Sequence, residues 1–376
     1  MTKPNDAGLR AAFTSLEQDV QGVALERIEA IRLAILSLLV RAHAVFLGPP
    51  GTGKSFLVEQ VTARITGASL FSTLLHPQAP AEELLGPLDV AELGKGRYLR
   101  RTASYLPSCH VAFLDEVFKC SPSTLNACLG VLNERKLTQD GQRISCPLVS
   151  AIGASNELPR AGEAEALWDR FLLRLYVQPL QEEANVRALL SGGTPTRAPQ
   201  GTLTLAQLET AQKQVAAITI PGPVLDALLS LRADLSRAGI EVSDRRWTQL
   251  AQVARAHAWL EGRAEVTLED LSPLAHGTWT TPEQRRQAAS LVLTVALPTL
   301  ATCLEELDRA LEQHRALLAA KTDEDAVRAS IALRKIATKI KALAKGVGHP
   351  RVVEVARRVE GLQADAIKRV AGASVS

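Results

Sequence analysis

The stretch VFLGPPGTGKSFLVEQV, from Val45 to Val61, decides the fold. It begins with a β-branched and aromatic run that ends at Gly48, which is typical of a buried strand. From Lys54 onward the apolar residues return at helical spacing. The eight residues from Gly48 to Ser55 match the pattern G-x-x-x-x-G-K-[ST]. A strand, a glycine-rich loop and a helix in this order predict a phosphate-binding P-loop.

The composition of this loop follows from what a phosphate group requires. Successive backbone N–H groups can surround an anion only where no Cβ intrudes, and Gly48, Gly51 and Gly53 permit this. The helix that follows offers its free N–H groups and the positive end of its dipole to the same anion. Lys54 supplies a positive charge for the β- and γ-phosphates, and the Ser55 hydroxyl can enter the coordination shell of Mg²⁺.

The elements around the loop alternate in type and predict an α/β fold. The runs HVAFLDE and PLVSAIGASN also have strand character, and helical patterns lie between the three runs. This alternation favours a parallel sheet sandwiched by helices. Residues 23–43 predict one amphipathic helix before the first strand. The pair Asp140–Gly141, between alternating residues, predicts a β-hairpin before the third strand.

Two acidic residues end the second strand-like run. The apolar part of HVAFLDE places Asp115 and Glu116 at the end of its strand, beside the phosphates if that strand neighbours the first. Asp115 would then hold Mg²⁺ directly or through water, and Glu116 would polarise the attacking water. The structural alternative is a strand that ends in two solvated acids without a ligand.

Composition argues against several classes of protein. Of the 376 residues, 46% are hydrophobic and 22% are charged, as in ordinary globular proteins, and the formal net charge is +3. This charge favours neither a nucleic-acid binder nor a membrane-surface binder. We find no signal-peptide pattern, and we interpret the most apolar stretch, Ala288 to Leu304, as a buried helix broken at Pro298. No membrane span is therefore expected. The five cysteines lack metal-ligand spacing, so we expect buried free thiols and a reducing, cytoplasmic location.

Beyond residue 190 the sequence predicts helices almost throughout. The Gly-, Pro- and Thr-rich residues 191–201 are the best linker candidate. After Pro282, heptad-like apolar spacing predicts an antiparallel helical hairpin or a small bundle. We therefore expect a P-loop core over 1–190, an all-α lid over 200–281 and a C-terminal helical extension over 282–376.

Five motifs, in their order along the chain, resemble those of the MoxR family of AAA+ ATPases, most closely its regulatory ATPase variant (RavA-like) branch. They are GPPGTGKS, FLDEVFKCSPSTLNACLGVLNERKLTQDG, GASNELP, ALWDRFLLRL and VSDRRW. The resemblance extends from about Gly22 to Trp279 and is much weaker from Pro282 onward. It implies an AAA+ parallel sheet with an all-α lid, a Walker A motif at Gly48–Ser55 and a Walker B motif at Val111–Glu116.

The resemblance also implies roles for residues outside these two motifs. Asn156, in GASNELP, would be the sensor-1 residue. Arg170, in WDRFLLR, would be an arginine finger for the neighbouring subunit, with Arg174 as the weaker candidate. Arg245, in VSDRR, would be the sensor-2 arginine of the lid, although only geometry can decide between it and Arg246.

Three further segments are interpreted through the resemblance. Gly22 to Arg27 would line the adenine pocket. LLGPLDVAELGKGRYLRRTASYLP would be a helix-2 insert with Gly94 and Gly96 at a hairpin tip, and RKLTQDGQRIS would be the hairpin before sensor 1. Both would face the pore of a ring, and the alternative is solvated hairpins without substrate contact. The basic residues of the helix-2 insert are Lys95, Arg97, Arg100 and Arg101.

The predicted site contains three groups of residues. Those expected to bind ATP are Gly48, Pro49, Pro50, Gly51, Thr52, Gly53, Lys54, Ser55, Phe56 and Asp115. Those expected to take part in catalysis are Glu116, Asn156, Arg170 and Arg245. Ser55 and Asp115 are expected to hold Mg²⁺.

The function implied by the resemblance is Mg²⁺-dependent ATP hydrolysis at the subunit interfaces of a homo-oligomeric ring, expected to be a hexamer. The ring would act as a chaperone-like remodeller of a protein client or a metal-cofactor complex, with a partner that carries a von Willebrand factor A domain. One alternative is a nucleic-acid-stimulated motor, which the near-neutral charge and the 4% aromatic content disfavour. Another is a regulatory ring whose helical tail is the interaction surface.

Overall fold

The computed structural model of the protein describes residues 4–158, 165–192, 202–320, 322–345, 347 and 349–373. Within them the strands are β1 (His43–Leu47), β2 (Ile65–Thr66), β3 (Leu70–Leu74), β4 (Val111–Asp115), β5 (Lys136–Gln139), β6 (Gln142–Ser145), β7 (Ser150–Ser155), β8 (Phe171–Tyr176) and β9 (Leu203–Thr204). The helices are α1 (Pro4–Gln21), α2 (Ile28–Leu39), α3 (Lys54–Ala63), α4 (Ala81–Leu85), α5 (Val90–Leu93), α6 (Pro122–Leu129), α7 (Glu165–Arg170), α8 (Glu183–Leu190), α9 (Leu205–Ala217), α10 (Gly222–Arg237), α11 (Asp244–Leu260), α12 (Pro282–Ala296), α13 (Pro298–Ala319), α14 (Asp323–Ala344) and α15 (Pro350–Ala373). Leu106–Ser108 and Leu268–His276 are 3-10 helices, and Gly130–Glu134 is a π-helical turn.

The P-loop strand lies inside a five-stranded parallel sheet. The strand order is β3-β4-β7-β1-β8, so β1 has β7 on one side and β8 on the other. All residues of β1 and β7 are buried, and helices α2, α3 and α11 pack on the sheet. This arrangement confirms the predicted α/β class. The sequence patterns identified β1, β4 and β7 as strands but not β3 and β8.

The first amphipathic helix is shorter than predicted. The sequence pattern extends it from residue 23, but α2 begins at Ile28. The preceding turn is not helical, because Glu26 has a φ of +56° and Arg27 has φ −115° and ψ 19°. The N–H groups of Gly22 and Ala24 donate to the last carbonyl oxygens of α1. The segment therefore ends one helix and leads into the next instead of continuing either.

Of the two predicted hairpins, one is confirmed and the other has a different form. β5 and β6 pair in antiparallel register around Asp140 and Gly141, as predicted. The helix-2 insert instead carries the helical turn α5, and its two arms meet at one antiparallel bridge between Leu88 and Arg100. Gly96 has a φ of +75° in the turn after α5.

The chain packs into two compact units. The first contains residues 1–225 and 242–278, and the second contains residues 226–241 and 279–376. These units are defined by which residues pack together, whereas the expected domains were defined by sequence pattern. The expected domains 1–190, 200–281 and 282–376 therefore stay predictions. The expected linker, residues 191–201, lies almost entirely outside the described residues.

The second unit contains the predicted C-terminal bundle. α13, α14 and α15 each contact the other two helices. Their common core is apolar and includes Leu300, Leu307, Leu333, Ile340, Val352 and Val359. α12 ends at Ala296 and α13 begins at Pro298, which confirms the predicted break at this proline. Among the described residues, no helix combines the length and apolar character that crossing a membrane requires.

Candidate nucleotide-binding site

Three predicted site segments meet at the carboxyl edge of the parallel sheet. The P-loop follows β1, Asp115 ends β4, and Asn156 follows β7. The strand β7 lies between β4 and β1, and neighbouring strands of a sheet are about 5 Å apart, so the three segments lie side by side. The Gly48 N–H donates to the Ser155 carbonyl oxygen at 3.0 Å, which fixes the start of the P-loop to the end of β7. Open α/β sheets bind their ligands at this edge.

The glycines of the P-loop form a cradle with one closed side and one open side. Gly48 has a φ of +139°, and a Cβ at this position would lie 2.3 Å from the Val177 carbonyl oxygen, so only glycine fits. Gly51 and Gly53 have φ values of +76° and +77°, and a Cβ on either would meet nothing within 4 Å. The space beside these two glycines is therefore open, and the loop fits a phosphate group.

Lys54 lies in the cradle and contacts the loop itself. Its Nζ donates to the carbonyl oxygens of Gly48 and Pro49, at 3.0 Å and 2.9 Å. Burial lowers the pKa of Lys54, whereas the carboxylates of Asp115 and Glu116 act in the opposite direction. The ammonium group and both Walker B acids are thus within electrostatic reach of one another. A triphosphate would replace the carbonyl oxygens as the partner of this ammonium.

The two acids at the end of β4 are held by a strained turn. The Glu116 N–H donates to Asp115 Oδ1 at 3.0 Å, and the Val117 N–H donates to the Ala154 carbonyl oxygen at 3.0 Å. Glu116 has a φ of +51°, a left-handed conformation that is uncommon for residues other than glycine. Such strain concentrates at functional sites. The partly buried Glu116 carboxylate forms an ion pair with Lys119 at 3.4 Å.

The remaining predicted ligands are accessible. Ser55 and Phe56 lie in the first turn of α3, and both are exposed, as is Asn156 beyond β7. Thr52 is buried and donates from Oγ1 to a loop carbonyl oxygen. In the part of the chain that the structure describes, no three His, Cys, Asp or Glu side chains converge as a metal site. A Mg²⁺ ion on Ser55 and Asp115 would therefore need phosphate oxygens and water as its other ligands.

The turn before α2 connects the P-loop to the start of α8. Arg27 is buried, and its Nε donates to the Thr52 carbonyl oxygen at 3.1 Å. The Glu26 carboxylate accepts hydrogen bonds from the N–H groups of Gln181 and Glu182, at 2.7 Å and 3.0 Å. The resemblance assigns this turn to the adenine pocket and does not predict these contacts. The only signal for these contacts in the sequence was the pair of adjacent charged residues, Glu26 and Arg27.

Geometry separates the two adjacent arginines of α11. Arg246 is buried, and it donates to the carbonyl oxygens of Gly277, Phe171 and Leu172 at 2.6 to 2.9 Å. Its Nη1 also lies 3.2 Å from the Asp169 carboxylate. Arg246 therefore attaches α11 to the start of β8. Arg245, which is exposed, is the member of the pair that can meet a ligand.

Arg170 and Arg245 lie at the edge of the sheet opposite the P-loop. Phe171, which follows Arg170, pairs with His43 at the start of β1, whereas the P-loop follows Leu47 at its end. These two ends of β1 are about 13 Å apart, which is longer than an arginine side chain. Burial lowers the pKa of Arg170, and the positive charge of Arg245 lowers it further. The two guanidinium groups are therefore close enough to repel each other.

Arg170 has spare hydrogen-bonding capacity and Arg174 does not reach solvent. The Arg170 Nη1 lies 3.5 Å from the Asp169 carboxylate, and its buried Nε has no hydrogen-bond partner within the described ranges. Arg174, the weaker finger candidate, is buried and lies 4.2 Å from the centre of the Trp168 ring. It also donates to the carbonyl oxygens of Trp168 and Phe171. Arg174 thus supports the turn that presents Arg170.

The helix-2 insert contacts the β5–β6 hairpin, and acids accompany its basic residues. The Tyr98 N–H donates to Asp140 Oδ1 at 3.1 Å, and the Arg100 N–H donates to Gln139 Oε1 at 3.0 Å. Ion pairs join Lys95 and Arg97 to Glu92, Arg100 to Glu82, and Arg101 to Asp89. The insert therefore presents paired charges and not a continuous cationic surface.

The strand order, the glycine cradle and the polar strand ends define a P-loop protein of the AAA+ ATPase class. Comparison with family models agrees with this class. The MoxR domain of the MoxR-vWA-beta-propeller ternary systems matches residues 11–217, and an AAA lid domain matches residues 223–292. The first match covers more than half of the chain. The chain therefore belongs to the MoxR family of AAA+ ATPases.

Individual proteins show the same relationship. An uncharacterised protein of Methanocaldococcus jannaschii is 36% identical over 266 residues, which cover 70% of this chain and 69% of the relative. The chaperone MoxR1 of Mycobacterium tuberculosis is 24% identical over 201 residues, which cover 51% of this chain and 52% of the relative. A crystal structure of an ATPase candidate from Cytophaga hutchinsonii has a TM-score of 0.64 at 17% identity, covers 77% of this chain and 96% of that one, and shares the fold. Assignment to the RavA-like branch stays a prediction.

Proposed function

We propose that the protein hydrolyses ATP at the subunit interfaces of a homo-oligomeric ring, a hexamer, and uses this turnover to remodel a client. One observation carries the proposal: the P-loop and the two arginines Arg170 and Arg245 lie at opposite edges of one sheet. Arg170 and Arg245 cannot reach the nucleotide of their own chain, because β1 separates them from it by about 13 Å. A site with all the predicted groups therefore needs a second copy of the chain.

One subunit would bind the nucleotide and activate water. The P-loop N–H groups and the Lys54 ammonium would hold the β- and γ-phosphates, and Ser55 and Asp115 would hold Mg²⁺. Mg²⁺ would neutralise charge on the phosphate oxygens when bound. Glu116 would accept a hydrogen bond from the attacking water and polarise it. Asn156, exposed beside the P-loop, would orient that water or contact the γ-phosphate.

The neighbouring subunit would supply the positive charge that the transition state requires. Arg170 would act as the finger, with an effect of roughly 10³ to 10⁵ on turnover. Arg245 would contact the same phosphate groups from the same side. The repulsion between these two guanidinium groups and the unsatisfied Arg170 Nε both fit a site that an anion completes. An incoming γ-phosphate would relieve the repulsion and provide the missing hydrogen-bond acceptor.

The client and partner follow from the family and from the insert. The matching family model is named for systems that combine MoxR, vWA and beta-propeller components, which supports a partner with a von Willebrand factor A domain. A protein client or a metal-cofactor complex fits better than a nucleic acid, because acids accompany all four basic residues of the helix-2 insert. Five buried free cysteines agree with a reducing, cytoplasmic location.

Two variants test the nucleotide chemistry. Lys54→Ala should lose ATP binding, because it removes the ammonium group from the cradle. Glu116→Gln should bind ATP like the unchanged protein but lose turnover, because the amide is a poor base. Glu59→Gln, an exposed change on α3, is the matched control and should leave both properties unchanged. Binding is measured with a fluorescent ATP analogue and turnover by phosphate release. Normal hydrolysis by Glu116→Gln would refute the assigned role.

A further inference from the structure

Helix α13 carries an acidic stripe on the side that faces away from the bundle core. Glu305, Asp308 and Glu312 are exposed and are three and four residues apart, so they share one helix face. Cys303 and Ala310, on the other side of α13, are buried in the core that this helix forms with α14 and α15. The acidic stripe is therefore an outer surface of the bundle.

Helices α14 and α15 carry the opposite charge. From residue 323 to residue 373 the sequence has eleven Lys and Arg and six Asp and Glu, an excess of five positive charges, and three of the six acids lie in the first turn of α14. Some of these basic residues form ion pairs within the bundle, such as Lys339 with Glu306 and Arg369 with Asp365. The exposed basic residues also include Arg334, Lys335, Lys341, Lys345, Arg357, Arg358 and Lys368.

The basic residues alternate with exposed apolar side chains along two helix faces. On α14 one face contains Val327, Ile331, Arg334 and Lys341, at helical spacing, and Lys345 follows the helix. On α15 the corresponding face contains Val353, Arg357, Ile367 and Lys368, together with one acid, Glu360. The four apolar residues in these two sets are between 42% and 55% exposed. Apolar groups rimmed by charge are typical of a protein interaction surface.

We propose that the basic face of α14 and α15 docks on the acidic stripe of α13 from a second copy of this chain. The two surfaces are complementary in charge and lie on different helices of one bundle. A head-to-tail contact of this kind is heterologous, with a different surface from each copy, and heterologous contacts generate rings where the rotation closes. The inference rests on the ring proposed above and names a second contact within it.

The charges set the character of this contact. Individual surface ion pairs contribute little, but complementary patches guide association and fix its register. Because salt screens exposed charges, assembly through these faces weakens as the ionic strength rises. The apolar side chains between the charges are buried on contact and are much less sensitive to salt.

Charge reversal on each face tests the contact. The acid-reversed chain carries Glu305→Lys, Asp308→Lys and Glu312→Lys, and the base-reversed chain carries Arg334→Glu, Lys341→Glu and Arg357→Glu. Assembly of the full chain with a non-hydrolysable ATP analogue is measured by sedimentation velocity over a range of concentrations. Each variant alone should assemble at least about tenfold more weakly than the unchanged chain, because like charges then face each other.

Mixing provides the decisive measurement. In an equimolar mixture of the two reversed chains, every contact between unlike chains has opposite charges, so the mixture should assemble better than either chain alone. The charge-preserving triple variant Arg334→Lys, Lys341→Arg and Arg357→Lys is the control and should assemble like the unchanged chain. Circular dichroism and thermal denaturation confirm that all chains are folded.

Each other outcome overturns the proposal in a recognisable way. If the unchanged chain assembles and the reversed chains assemble equally well, this contact is wrong while the ring stands. If the mixture does not recover, the faces do not meet each other. If the basic face binds a short DNA duplex and base reversal abolishes that binding without affecting assembly, its ligand is a polyanion. If the unchanged chain stays monomeric with nucleotide, both the ring and the contact are wrong.

Discussion

Mixing two inactive variants should restore ATP hydrolysis if the active site is shared. Lys54→Ala removes the ammonium group from the P-loop, whereas Arg170→Ala removes a guanidinium group from the opposite edge of the sheet. The first variant lacks the phosphate-binding half of every site, and the second lacks the finger of every site. We expect turnover of each homogeneous preparation to fall by roughly 10³ or more.

The size of the recovery follows from the geometry. Arg170 precedes Phe171, which pairs with His43 at the far end of β1, so in the proposed ring it would serve a neighbouring nucleotide and not its own. A working site then requires an intact Lys54 on one subunit and an intact Arg170 on the next. In an equimolar random mixture each condition holds for half of the subunits, so about one quarter of wild-type turnover should return.

The assay is phosphate release at saturating ATP after the two variants have exchanged subunits. A mixture of Lys54→Ala with Glu116→Gln is the matched control. Both of these changes lie on the P-loop side of the site, so every site has one or the other defect and no activity should return. Recovery in this control, or none in the mixture with Arg170→Ala, would refute the shared site.

Three further predictions concern stability and its separation from catalysis. Gly48→Ala should lower the free energy of unfolding in urea by about 2 kcal/mol or more, because the new Cβ overlaps a backbone carbonyl oxygen. At Gly51 the space is open, so Gly51→Ala should lose less stability. Its main effect should be weaker ATP binding, measured by fluorescence titration. Arg246→Ala should lower the free energy of unfolding by about 3 to 5 kcal/mol in the same assay, because it removes the donor to the Gly277 and Leu172 carbonyl oxygens and leaves the Phe171 carbonyl oxygen with Arg174 alone. Arg245→Ala should change stability by less than about 0.5 kcal/mol yet slow phosphate release, and equal effects on stability would contradict this division. Burial and nearby positive charge lower the pKa of His43 from 6.5 to about 3, so the unfolded chain binds the proton first. The free energy of unfolding should therefore fall by up to about 1.4 kcal/mol for each pH unit below 6.5, until the pH approaches 3, and a chain with His43→Gln should show a smaller slope.

The parts of the site that are local in sequence could be predicted, and the parts that depend on packing could not. Eight consecutive residues carry the P-loop pattern, and the acids of the Walker B motif end an uninterrupted apolar run. β8 was missed because Arg174 interrupts its apolar run, residues 171–176, and because it directly follows the helical residues of α7. The start of α2 was misplaced because the left-handed conformation of Glu26 leaves no mark on the apolar spacing.

The sequence alone also could not decide between Arg245 and Arg246. Two adjacent arginines have the same chemistry, and only the rotation of α11 decides which one is buried. The structure turns Arg246 toward the carbonyl oxygens at the start of β8 and leaves Arg245 exposed beside Arg170. Tertiary packing therefore fixes an assignment that no local pattern contains.

The distribution of charge over the sheet has a consequence for how the protein is controlled. In a single chain, the Lys54 ammonium is satisfied by loop carbonyl oxygens, while the charges of Arg170 and Arg245 repel each other at the opposite edge. Neither arrangement stabilises the charge that develops during hydrolysis, because the two halves are separated by the length of β1. In the proposed ring, assembly would place the arginines of one copy opposite the P-loop of another, so the charges that repel within one chain would become attractive toward the nucleotide of the next. ATP binding and subunit association should therefore strengthen each other, since linkage makes such coupling reciprocal.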